Sequence, residues 1–66
     1  MTVTVNGNPM DLEDGVTVRQ VIERLGLAKA ACAAEVNKAL VPRRQQETHR
    51  LTHGDTIEVV SLVGGG

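Results

Sequence analysis

Thr17-Val18-Arg19-Gln20-Val21-Ile22-Glu23-Arg24-Leu25-Gly26 is the stretch whose reading decides the fold. Thr17 with Gln20 three residues later is a capping box, in which each side chain bonds the other residue's backbone N–H. Val16 ahead of the cap and Val21 at the fourth helical position fit a hydrophobic staple. Val18, Val21, Ile22 and Leu25 recur at i, i+3, i+4 and i+7, which makes one apolar stripe, and Arg19, Glu23 and Arg24 take the other side. Gly26 supplies the left-handed residue that ends a helix, with Leu27 behind it to fold back on the last turn. One short amphipathic helix is therefore specified at both ends, and its single apolar stripe needs a sheet to cover it.

Working outward, the flanks supply that sheet. Thr2-Val3-Thr4-Val5 alternates with period two, and Asn6-Gly7 marks a tight hairpin turn. A second short strand is expected from Pro9 to Leu12, closed by Asp14-Gly15. Beyond the helix, Cys32, Ala34 and Val36 alternate with Ala33, Glu35 and Asn37. This is a half-buried strand whose small inner residues let a helix lie close. Asn37-Lys38 turns the chain into Ala39-Leu40-Val41, which Pro42 stops. Arg43 to Thr48 has no apolar period and reads as a loop or one short turn. Leu51 is expected in a further short strand, and Gly54-Asp55 leads into a last strand from Thr56 to Val63. The order predicts an α+β, β-grasp (ubiquitin-like) fold: a mixed sheet of four to five strands crossed by one helix. The last strand should lie centrally, beside the first. The domain is expected over residues 1–63, with 64–66 as a flexible glycine tail.

Size and composition narrow the function. Sixty-six residues make one domain, and a fold of this size buries only about 60% of its unfolded surface. A private substrate pocket is not expected in it. Phe, Tyr and Trp are absent, and 7 basic residues balance 8 acidic ones. Base-stacking platforms and a phosphate-binding charge footprint are both missing, so no nucleic-acid partner is expected. No apolar run reaches the roughly 18 residues of a membrane span, and the chain reads as soluble and cytoplasmic with no membrane partner. Cys32 is the single cysteine. It falls in the inward phase of a small-residue strand with no nearby His to activate it, and reads as core filler. His49 and His53 lack the further ligands a closed metal site needs, so no metal or bound cofactor is expected. Asp11, Glu13 and Asp14 read as a solvated turn.

Gly64-Gly65-Gly66 reads either as a frayed chain end or as a lead that carries chemistry. Glycines add nothing to a core and lose most entropy on ordering, yet three extended residues reach roughly 10 Å. They could carry the Gly66 carboxyl group into a partner's active site. Attack on an activated acyl carbon is least hindered when the α-carbon bears only hydrogens, and Gly64 and Gly65 could thread a narrow channel. On a strictly alternating last strand, Val60 and Leu62 face away from Ile57 and Val59, which makes them candidate docking residues. Arg43, with Arg44 and Arg50, could add a basic rim.

Several blocks in this order resemble one family: Val5-Asn6-Gly7, Asp14-Gly15 with Thr17-Val18, Glu35-Val36-Asn37, Leu40-Val41-Pro42-Arg43, Leu51, Gly54-Asp55-Thr56-Ile57-Glu58-Val59-Val60, and Val63-Gly64-Gly65-Gly66. Together they resemble the ThiS/MoaD ubiquitin-like sulfur carriers, most closely the ThiS branch of thiamine biosynthesis, over the whole chain. Similar proteins often carry an aromatic residue shortly after the Pro-Arg pair, where this chain has Gln45 and Gln46. The resemblance implies a carrier with no catalytic residue of its own. A ThiF-like adenylating enzyme, using ATP and Mg²⁺, would join the Gly66 carboxylate to AMP. A sulfur donor would displace AMP to leave a thiocarboxylate, and thiazole synthase (ThiG) would take the sulfur. A related carrier for molybdopterin synthesis or tRNA thiolation would use the same glycine end. A non-covalent ubiquitin-like interaction module would not use it at all.

Overall fold

The computed structural model describes residues 1–62; the expectations that fall on Val63, Gly64, Gly65 and Gly66 lie outside the described residues. The elements run β1 (Thr2–Val5), β2 (Asn8–Asp11), α1 (Val18–Arg24), β3 (Cys32–Val36), β4 (Ala39–Val41), a 3₁₀ turn (Arg43–Gln45) and β5 (Thr56–Ser61). The five strands form one sheet in the order β2-β1-β5-β3-β4. β1 and β5 are parallel, Val5 opposite Ile57, and every other pairing is antiparallel. This is the expected β-grasp, with β5 central beside β1.

Both hairpin turns owe their shape to asparagine. Asn6 and Gly7 have φ of 50° and 85°, and Asn37 and Lys38 have φ of 52° and 70°. Two successive left-handed residues give the turn whose twist matches the flanking strands. Because the first turn uses only Asn6 and Gly7, Asn8 already pairs with Val5 and β2 ends at Asp11. The expected Pro9–Leu12 strand is thus displaced by one residue, although the amide of Leu12 still donates to the Met1 carbonyl at 2.8 Å.

The helix is capped as its residues predict. The Gln20 amide donates to Thr17 Oγ1 at 3.3 Å, and the Thr17 amide donates to Gln20 Oε1 at 2.8 Å. At the far end Gly26 takes φ 79°, its amide donates to the Glu23 carbonyl, and the Leu27 amide donates to the Ile22 carbonyl. These two bonds make a Schellman motif and satisfy carbonyls that would otherwise lack partners. Val18, Val21 and Ile22 are fully buried against Val3, Val5, Ala34, Val36, Ile57 and Val59 in one core. Cys32 belongs to that core too, its Sγ 3.8 Å from the Ala30 carbonyl oxygen.

One expectation is corrected between Val41 and Thr56, and one holds: the stretch from Arg43 to Thr48 is the expected short turn. Leu51 is buried but lies in no strand: Thr17 and Arg50 form an isolated bridge, and the Leu51 amide donates to the Val16 carbonyl at 2.9 Å. The chain turns again at Thr52–Asp55 before a ladder can extend. The Arg43–Thr48 stretch contains a 3₁₀ turn and makes structural contacts despite its polarity. Its Gln46 is only 4% exposed, donates from Nε2 to the Cys32 carbonyl at 3.0 Å, and accepts the Arg19 amide on its own carbonyl at 2.8 Å. The His49 carbonyl accepts the Val18 amide at 3.0 Å. The open N–H groups of the first helical turn are thus covered by the 46–49 segment as well as by Thr17.

Candidate functional site

The last strand leads to the glycine tail, so what holds it determines where that tail starts. At its root Asp55 gathers three donors: the Thr52 amide at 2.8 Å, the Thr52 hydroxyl at 3.1 Å and Asn37 Nδ2 at 3.0 Å. Partial burial alone would raise the Asp55 pKa, but these donors favour the carboxylate and hold it below the usual range. Asn37 Oδ1 accepts the Thr56 amide at 3.0 Å, and the Asn37 amide donates to the Thr56 carbonyl at 2.7 Å. The Gly54 amide donates to the Thr2 carbonyl, and His53 Nδ1 accepts the Thr2 amide at 3.0 Å, which ties this corner to β1.

Nearer the tail a different device takes over. β1 ends at Val5, opposite Ile57 and two residues short of Val59 in the parallel register, and the chain turns away at Asn6. The Asn6 carboxamide bridges the gap: Oδ1 accepts the Val59 amide at 2.8 Å, and Nδ2 donates to the Val59 carbonyl at 3.3 Å. A side-chain amide here carries both polar groups of a peptide unit and extends the ladder beyond the end of the neighbouring strand. On the other side β3 pairs through Cys32 opposite Ser61, and the Leu62 amide donates to the Ala31 carbonyl at 2.7 Å. β5 is therefore held on both flanks up to the last few described residues.

Alternation on β5 separates two faces. Ile57 and Val59 enter the core, while Glu58 and Val60 are exposed. Val60 and Leu62 are each 58% exposed, on the outward face predicted for them. Leu40 is 66% exposed and joins that face, because Leu40 pairs with Glu35 and Glu35 pairs with Glu58. Residues directly opposite one another in a ladder share a face. Arg43 is not brought to this face. It lines a shallow groove with Arg19, Glu23, Gln46 and Glu47, beside the helix and so on the other side of the sheet.

The remaining titratable groups serve local ends. Arg24 Nη2 donates to Glu13 Oε2 at 2.7 Å, and this hydrogen bond holds the Glu13 pKa down at about 2. The pair is open to solvent, so its contribution to stability is small. Among the described residues no three of His, Cys, Asp and Glu come together as a metal site. His49 and His53 are separated in role, one giving its carbonyl to the helix start and the other its ring nitrogen to Thr2. Among the described residues no helix is long and apolar enough to cross a membrane. Sequence reasoning missed Asn6, Gln46 and the outward position of Leu40. Only Leu40 had a local signal, since it alternates with the inward Val41.

The ThiS family model matches residues 3–66. The chain is 32% identical over 66 residues to the sulfur carrier protein ThiS of Escherichia coli, covering all of both chains. It is 34% identical to the sulfur carrier protein ThiS of Thermus thermophilus, over 97% of this chain and 98% of that one. A thiazole synthase of Magnetococcus marinus is 39% identical over 66 residues, but the chain spans only 20% of that relative's length. The crystal structure of the thiamine biosynthesis protein ThiS from Geobacter metallireducens superposes with a TM-score of 0.80 at 28% identity, covering all of both chains. With a β-grasp scaffold, a centrally held last strand and a family match through Gly66, this chain belongs to the ThiS family of small sulfur-carrier proteins, which are carriers rather than catalysts.

Proposed function

We propose that this protein carries sulfur on the carboxyl group of Gly66 for the making of the thiamine thiazole. A carboxylate is a poor acyl donor because its leaving group would be oxide. A ThiF-like adenylating enzyme first lets a Gly66 carboxylate oxygen attack the α-phosphorus of ATP, with Mg²⁺ on the phosphates and pyrophosphate leaving. A sulfur donor then attacks the acyl carbon, AMP departs with the oxygen, and a thiocarboxylate remains. Thiazole synthase receives the sulfur. Gly64 and Gly65 are the thread on which the acyl group enters each partner, and Val60 and Leu62 belong to the surface that docks.

The observation that carries this reading is the family match through Gly66, together with an alignment that spans all of the Escherichia coli carrier. A relative named thiazole synthase that contains a stretch similar to this chain supports thiazole synthase as the recipient, since the two parts there share one polypeptide. The fold agrees with the division of labour. The sheet and helix fix the root of the tail at Val59 and Leu62 and contribute no reacting group. Replacing Gly66 with Ala tests the acyl position. The account expects slower adenylation or transfer at unchanged stability, and an unchanged rate of thiocarboxylate formation would reject it. Adding one residue after Gly66 should abolish activation, whereas a non-covalent interaction module would bind its partner as before.

A further inference from the structure

We propose that the outer face of the sheet receives an arginine of the adenylating enzyme between Glu35 and Glu58, flanked by Leu40 and Val60. This rests on the carrier reading above and deepens it. Glu35 and Glu58 stand directly opposite each other on the antiparallel pair β3–β5, and both are exposed. Like charges so placed oppose folding. Neither makes an ion pair among the described residues, although Glu13 and Glu23 each have an arginine partner there. Leu40, Val60 and Leu62, the large apolar side chains that the described residues expose, all lie on this same face. The free protein thus keeps an uncompensated pair of carboxylates in the middle of its exposed apolar surface.

That combination selects the chemistry of the occupant. A cation seated between the two carboxylates turns a repulsive pair into two attractive contacts. A guanidinium suits the place better than an ammonium. It is planar, weakly hydrated, can donate to two carboxylates at once, and packs its stem against aliphatic neighbours. The position of the tail selects the partner. Gly66 lies four positions beyond Leu62, so an active site holding the Gly66 carboxylate lies within roughly 14 Å of Leu62. The enzyme that activates Gly66 must therefore cover this end of β5.

The test is Glu35→Gln/Glu58→Gln, measured in two ways. Free in solution, the double variant should melt about 1–5 °C higher than the wild type, because a like-charge pair has been removed. Titrated against the ThiF-like enzyme of the same organism, it should bind about five- to tenfold more weakly and lose much of its salt dependence. A merely structural role would not raise stability while lowering affinity. An unchanged Kd overturns the proposal, as does a wild-type chain that fails to bind that enzyme. Pyrophosphate release with ATP, followed in parallel on the wild type, tests the carrier reading separately. Binding without turnover would sink the tail chemistry and leave the carboxylate test readable.

Discussion

The two faces of β5 are built from alternate residues of one strand and do opposite things. Ile57 and Val59 face the helix and are buried with Val3, Val21 and Ile22, whereas Glu58, Val60 and Leu62 face outward with Leu40 and Glu35. The inner set meets the demands of a marginal 66-residue fold. The outer set includes two features that cost the free protein, an exposed apolar patch and a facing pair of carboxylates. Period-two geometry lets them coexist, because neighbouring residues never share an environment. If the outer face docks as proposed, stability and recognition should be separable by single substitutions along the strand.

Ile57→Ala should break the inner face most severely. Removing a fully buried isoleucine costs about 2–5 kcal/mol, a large share of the roughly 3–10 kcal/mol such a small domain has in total. Urea denaturation should show a much lower midpoint or no folded baseline. Val60→Ala, at an exposed site, should stay within about 0.5 kcal/mol of wild type while weakening association with the adenylating enzyme. Equal losses of stability at the two positions would erase the distinction between the faces.

The flank of β5 comes next. Asn6→Asp keeps the acceptor for the Val59 amide but sets a carboxylate oxygen against the Val59 carbonyl. Asn6→Gly keeps the left-handed turn and deletes both bonds. Each should cost about 1–3 kcal/mol and speed hydrogen exchange at the Val59 amide. Unaltered exchange there would show that β3 alone fixes the strand end.

Asp55 links the root of β5 to pH. Its pKa is lower folded than unfolded, so the folded state binds fewer protons and stability falls with acid. The contribution is fully present above the unfolded value near 4 and is lost as pH drops through the lower folded value. Urea midpoints between pH 6 and pH 2.5 should fall less steeply in Asp55→Asn, which cannot titrate. The smallest effect is expected at Lys38, a lysine held at φ 70°. Lys38→Gly removes a left-handed strain of about 1 kcal/mol and should raise the melting temperature slightly without touching either face.

The regular parts of this fold were legible because each carries its own local signal. The Thr17–Gln20 box, Gly26 with Leu27, the Asn6-Gly7 turn and the alternation of Cys32–Val36 all stand in the structure as their residues imply. What escaped reading depends on partners distant in the chain. Gln46 is buried because the Cys32 carbonyl and the Arg19 amide converge on it, and nothing in the local pattern announces that. Leu51 looked like a strand residue because burial was clear while pairing was not. The outward Val60 and Leu62 followed from alternation, but the facing of Glu35 and Glu58 required the register between β3 and β5.

The central claim is that Gly66 itself becomes the sulfur-bearing group. Intact mass spectrometry after incubation with ATP, Mg²⁺, the adenylating enzyme and sulfide tests it most directly. The account predicts a mass gain equal to one oxygen replaced by sulfur, localised to Gly66 by fragmentation and absent when ATP is omitted. An unchanged mass alongside turnover of a known carrier in the same mixture, or sulfur found on Cys32 instead, would contradict it.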